Sequence, residues 1–199
     1  MNYENLKLMY VAVCVMVGLA VLSPTLAAFV TFPVEEPFSE LWILGSNGMA
    51  EGYPFNVSAG DTSSVLLGVS NQMGGLKYYL VYVKLSNQTG SLPNSTAGVP
   101  SVLEPVFEYR LLLRHDETWS GLVHFSLADV FFDENFSRIS RILVDECAVN
   151  VDVVTVWDDV SSGFYYQLFF ELWIYDEGAS DFQFHNRSVG LWLNLSRQL

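Results

Sequence analysis

The 199-residue sequence predicts an all-β domain, an antiparallel β-sandwich, preceded by one N-terminal transmembrane helix. Three observations lead there. Residues 8–32 carry no charge, and about 20 apolar residues suffice to cross the hydrocarbon of a bilayer as a helix. From Pro33 onward the pattern changes to short runs of alternating apolar and polar residues, separated by Gly, Pro, Asn, Asp and Ser. No strand–helix–strand rhythm interrupts those runs, which favours an antiparallel sandwich over a parallel sheet. The chain therefore divides into a cytoplasmic N-terminus (1–7), a membrane helix (8–32) and an extracytoplasmic domain (33–199).

The first element attaches the chain to the lipid bilayer through residues 8–32. Lys7 is the only basic side chain before the run, Glu35 and Glu36 follow it, and the next basic residue is Lys77. That asymmetry places the N-terminus inside and the bulk of the chain outside. A cleaved signal peptide is the alternative, because Thr25, Leu26 and Ala27 form a small-x-small site beside Pro24. Either reading exports the domain. A second signal agrees: six of the eleven Asn stand in N-x-[ST] sequons, namely Asn56, Asn87, Asn94, Asn135, Asn186 and Asn194, and all six follow the apolar run. Asn87 and Asn94, which border or lie in a loop, are expected to be the easiest to modify.

Within the domain the alternation predicts eight strands, near residues 41–44, 64–70, 78–85, 107–114, 120–126, 149–157, 164–175 and 189–195. It also assigns faces. Val189, Leu191, Leu193 and Leu195 point to the core while Gly190, Trp192 and Asn194 point away. Tyr166, Leu168, Phe170, Leu172 and Ile174 face in, and Phe107, Tyr109, Leu111 and Leu113 do the same. Residues 88–100, rich in Gly, Pro, Ser and Thr, form a loop. Residues 128–146 carry Phe131, Phe132, Phe136, Ile139, Ile142 and Leu143 at spacings nearer helical, which predicts a short helix there. On the outward side, Phe169, Trp173 and Tyr175 share one face of the long strand. Trp192 joins them from the final strand, giving a candidate interaction surface. The competing expectation is that residues 128–146 cover that face.

The stretch from Pro37 to Asn71, PFSELWILGSNGMAEGYPFNVSAGDTSSVLLGVSN, resembles the opening of an archaeal family, the domain of unknown function 1616 (DUF1616). Phe38, Glu40, Leu44, Gly45, Gly48, Ala50, Tyr53, Pro54 and Asn71 match its pattern, and Leu191 to Leu195 match its closing strand. The chain departs from it in carrying one membrane helix where many members have several. The segment 127–160 also looks long. The resemblance implies an archaeal cell-envelope protein with an immunoglobulin-like sandwich and implies no known activity.

Chemistry is sparse. A formal net charge of −13 argues against nucleic acid, which needs clustered Lys and Arg. Cys14 lies in the apolar run and Cys147 far downstream, so they do not pair, and Cys147 is expected to be a small buried residue. His115 and His124, placed on paired strands, offer too few ligands for zinc, and His185 stands apart. The acidic groups at Asp158-Asp159 and at Asp176, Glu177 and Asp181 read as solvated turns rather than calcium loops. No catalytic, cofactor or metal set is expected. The expected role is a non-enzymatic, glycosylated structural or protein-interaction module that binds another envelope protein. A carbohydrate-binding module using exposed aromatics, or an accessory subunit of a membrane complex, are the alternatives.

Overall fold

The computed structural model describes residues 3–29 and 36–196, with the helix side chains described as far as Leu22. The chain falls into two units, Met1–Glu36 and Pro37–Leu199. The first is the helix α1 (Tyr3–Phe29), whose segment Tyr3–Leu22 has a mean hydropathy of 2.1. It starts earlier than the uncharged run, with Lys7 and Glu4 one turn apart on its surface, while residues 30–32 of the expected span lie outside the described residues. Leu8, Met9, Tyr10, Val11, Val13, Val15, Met16 and Val17 are all exposed and together circle the axis, so the segment is apolar all round and has no polar face. That is the pattern of a membrane span or a signal sequence.

The second unit is the expected sandwich, made of two five-stranded sheets. One contains, in spatial order, β1 (Phe38–Gly45), β3 (Thr62–Gln72), β6 (Glu117–Phe132), β7 (Phe136–Val144) and β8 (Cys147–Val156). The other runs β2 (Asn56–Ser58), β10 (Asp181–Ser196), β9 (Phe164–Asp176), β4 (Lys77–Asn87) and β5 (Phe107–Leu113). We call them the first and second sheets. All pairings are antiparallel except that of β2 with β10. All eight expected strands are present and the expected core faces hold: Leu168, Phe170, Leu172 and Leu193 are wholly buried between the sheets.

Three tyrosines tie the sheets together across that core. Tyr79 of β4 bonds Ser39 of β1 at 2.7 Å, Tyr166 of β9 donates to the Ser137 carbonyl of β7 at 2.9 Å, and Tyr109 of β5 bonds Asp145 beyond β7. A buried hydroxyl without a partner is costly, so each ring contributes apolar packing only because its tip is satisfied. Burial raises all three phenols above their ordinary range, that of Tyr166 to about 12.

Four expectations need correction. Residues 128–146 hold no helix; they form the end of β6, the hairpin and β7. Asp129 has a positive φ of 50°, and the ladder skips the Asp129/Ser140 position between Ala128↔Arg141 and Val130↔Ile139. Inward residues therefore step by three, from Leu127 to Val130 and from Ile139 to Ile142, which imitates a helical period in the sequence. Because this hairpin belongs to the first sheet, it does not cover the outer face of β9. Cys147 is exposed rather than buried, since it opens the edge strand β8 directly after the two-residue turn Asp145-Glu146. Both turn residues have positive φ, the geometry of a tight hairpin. Finally, His115 lies in the connection between β5 and β6, which belong to different sheets, so it does not share a strand pair with His124.

Candidate functional site

Among the described residues no group of three or more His, Cys, Asp and Glu is placed to hold a metal ion. His124 bonds Ser64 at 2.7 Å and His115 lies against the Gly74 amide. Asp158 and Asp176 each accept two backbone amides of their own turns, so these carboxylates shape loops. What the domain presents instead is the outer face of the second sheet.

The centre of that face is closed. Residues 88–106 leave β4, cross to β10, where Ser95 meets Ser188 at 3.1 Å, and return over β9 to β5. Beneath them Lys84 of β4 and Glu171 of β9 form an ion pair, Nζ to Oε2 2.9 Å, with both side chains buried. Ser101 of the crossing loop completes it: its amide donates to Glu171 at 2.7 Å and its carbonyl accepts from Lys84 at 2.8 Å. The Trp173 indole donates to the same carboxylate at 3.3 Å. Every charge in the set has partners, the condition for burying an ion pair at tolerable cost. Sequence alternation placed Glu171 outward, but its burial under a loop was not visible there. The signal available was one Lys and one Glu isolated within otherwise apolar or aromatic strands.

This cover divides the aromatic face expected from sequence. Phe169 is only 2% exposed and leaves the surface; Gly190, its partner across β10, has room for no side chain, since a Cβ there would come within 2.7 Å of the Phe169 Cβ. Trp173 is half-buried between Tyr82 and Phe184. Tyr175 and Trp192 remain exposed but do not adjoin. Trp192 pairs with Gln167, eight residues along β9 from Tyr175, which is roughly 25 Å of strand.

Two separate aromatic clefts result. At one end of the sheet Tyr175 packs against Phe182 and Tyr78, and Arg110 lies over the Phe182 ring. Tyr78 and Tyr175, with Leu76, Leu112 and His185, border a cleft of about 520 Å³. Leu76 is 59% and Leu112 62% exposed. His185 bonds Ser39 at 3.0 Å, and its pKa is lowered by burial first and by Arg187 and Lys77 second. At the other end Phe55, Tyr165 and Trp192 line a shallow cleft of about 380 Å³ with Gln88, Asp158 and Ser161.

The sequons divide by accessibility. Asn56, Asn94, Asn135 and Asn186 are exposed. Asn87 and Asn194 are half-buried, and each uses its side-chain nitrogen as a donor, Asn87 to the Val154 carbonyl at 2.7 Å and Asn194 to Asn56 Oδ1 at 3.2 Å. Asn87 is thus not among the accessible ones, because it belongs to the end of β4 rather than to the loop.

Comparison with known proteins bears on the domain alone. The family model of a domain of unknown function (DUF1616) matches residues 33–143. No curated protein matches the sequence. Solved structures with similarity include β-glucosidase from Listeria innocua, in complex with glucose and, as a mutant, with laminaribiose. Each is 10% identical over 80% of this chain, with a TM-score of 0.37. This chain spans 16% of the length of those enzymes.

Proposed function

The chain belongs to the DUF1616 family, whose function is unknown, and from that premise we propose that it is a non-enzymatic, membrane-anchored and glycosylated protein of the archaeal cell surface whose sandwich docks another envelope protein. The helix retains the chain in the membrane with its N-terminus inside and the domain outside. The observation that carries the docking role is the cleft around Tyr175. It combines exposed Leu76, Leu112 and Tyr175 with Lys77, Asp176 and Glu177 at the rim, beside a strand, β5, whose far edge has no partner strand among the described residues. Apolar anchors inside a polar rim are the usual anatomy of a protein interface. A net charge of −13 favours a basic partner, and electrostatic attraction would speed the encounter.

The test is recovery of a stoichiometric partner from native membranes by the full-length chain, compared with a Leu76→Asp/Leu112→Asp variant. Both residues are exposed, so the fold is expected to persist, as circular dichroism would show. Loss of the partner in the variant, and its weakening with salt, are the expected results. Equal recovery by both proteins would remove the cleft from the interface. A partner held through the Phe55–Tyr165–Trp192 end would be equally unaffected by the substitutions, and Trp192→Ala would then abolish recovery.

A further inference from the structure

We propose that the cleft formed by Phe55, Tyr165 and Trp192 is the seat of the protein's own N-linked glycan, attached at Asn56. The inference rests on the reading of the chain as a glycoprotein and adds which sequon is used and where the sugar lies.

Two sequons stand next to residues of this cleft, Asn56 after Phe55 and Asn194 two residues beyond Trp192. Asn56 begins β2, directly after Phe55, and pairs in parallel register with Asn194 of β10. Asn194 lies two residues beyond Trp192, on the same face of its strand, and opposite Tyr165 of β9. The two amides are 3.2 Å apart, too close for both to carry a sugar without moving. Their hydrogen bond distinguishes them. Asn194 is half-buried and donates from Nδ2, the atom to which a sugar is joined, and its Oδ1 sits 2.2 Å from where a Cβ on Gly163 would stand. Asn56 is exposed and takes part through Oδ1, so its Nδ2 is not the atom engaged. The bond fixes the Asn56 amide beside Asn194, one residue along the chain from Phe55.

The lining has the chemistry of a pyranose site. Phe55 and Tyr165 stand 6.1 Å apart between ring centroids, and Phe55 and Trp192 are 47% and 41% exposed. Sugar rings present a C–H face that stacks on the electron-rich face of an aromatic ring, while their hydroxyls need polar partners at the edge. Gln88, Asp158 and Ser161 supply that edge. A glycan lying here would also screen β2, the three-residue edge strand of the second sheet.

The experiment uses the full-length glycoprotein purified from its native membrane. Glycopeptide mass spectrometry reads occupancy at each sequon. Acrylamide quenching of tryptophan fluorescence, taken as the difference between the protein and its Trp192→Phe variant, reads access to Trp192. Both are repeated in Ser58→Ala, which removes the sequon while keeping Asn56 and its bond to Asn194, and in Asn56→Gln. The expected result is occupancy at Asn56 and not at Asn194. Quenching at Trp192 should rise about twofold when the Asn56 sugar is lost, because a sugar stacked on one face hides about half of an exposed ring. Occupancy at Asn56 with unchanged quenching would overturn the docking and leave the glycoprotein reading intact. Occupancy at Asn194 with Asn56 bare would overturn the assignment. Bare sequons throughout would overturn both readings together.

Discussion

Replacing Lys84 by Met should destabilise the sandwich by about 3–5 kcal/mol, the usual cost of stranding one member of a buried ion pair. Glu171 would keep the Ser101 amide and the Trp173 indole as donors but lose the cation bonded to it, while its side chain remains fully buried. Two neutral hydrogen bonds do not offset a desolvated carboxylate. The Ser101 carbonyl would lose its donor as well, loosening residues 88–106 from the sheet. For a domain of this size the loss corresponds to a fall in Tm of roughly 10–15 °C. Adding Glu171→Leu removes the stranded charge, so the double variant should be less destabilised than the two single effects summed, by more than about 1 kcal/mol. It should not return fully to the starting stability, because the amide of Ser101 then has no acceptor. Urea titration of the full chain in detergent, followed by tryptophan fluorescence, measures these values, and Trp173 reports directly on the site. Limited proteolysis within 92–99 should accelerate in parallel. A Lys84→Met protein within about 0.5 kcal/mol of the parent, or strictly additive variants, would refute the claim that the pair and the loop form one unit.

Asn71 is fully buried and donates to the carbonyls of Gly75 and Leu113 while accepting from Met73 and Tyr79, so Asn71→Ala should cost about 3 kcal/mol or more in the same titration. His185 has a folded pKa below its ordinary 6.5, so the unfolded chain binds a proton first as the pH falls; stability should therefore decline below about pH 6.5 and level off beneath the folded pKa, a slope that His185→Gln removes. Mapped by glycopeptide mass spectrometry, occupancy should be higher at the exposed Asn56, Asn94, Asn135 and Asn186 than at Asn87 and Asn194, whose amide nitrogens are engaged.

Much of the framework was legible because period-two alternation is a direct image of a sheet with one buried face. In residues 189–195 of β10 and in the inward half of β9 nothing competes with that image. It blurred wherever the backbone left the regular pleat. At Asp129 the left-handed residue shifts the inward set by one, so that Leu127 and Val130, like Ile139 and Ile142 on the next strand, fall three apart as on one side of a helix. The strand β2 has only three residues and gains its place by pairing with the far end of the chain, information that no local window contains. The candidate surface was half legible for a related reason. Alternation told that Phe169, Trp173, Tyr175 and Trp192 leave the core side, but not that Ser101, seventy residues before Glu171, returns to cover the middle of them. The family's matched positions, by contrast, have local causes. A Cβ at Gly45 would meet the Glu51 carbonyl at 2.0 Å, Gly48 has a φ of 77°, and the Tyr53 hydroxyl donates back to Ile43 at 3.1 Å. These residues shape the turn that follows β1.

The order of strands in the second sheet also bears on how the domain is made. Its middle strand, β9, and the neighbour that carries β2, β10, both come from the last third of the chain, whereas β4 appears long before them. Translation at roughly 5–20 residues per second leaves β4, with its apolar inward face, waiting on the order of ten seconds for the rest of its sheet. During that interval the first sheet can assemble as far as β8, but the space between the sheets has no floor, and Tyr166 has yet to reach Ser137. A domain emerging from the ribosome in this order would therefore close in a single late event, when the C-terminal hairpin arrives, and its vulnerability to proteolysis and aggregation is concentrated just before that moment.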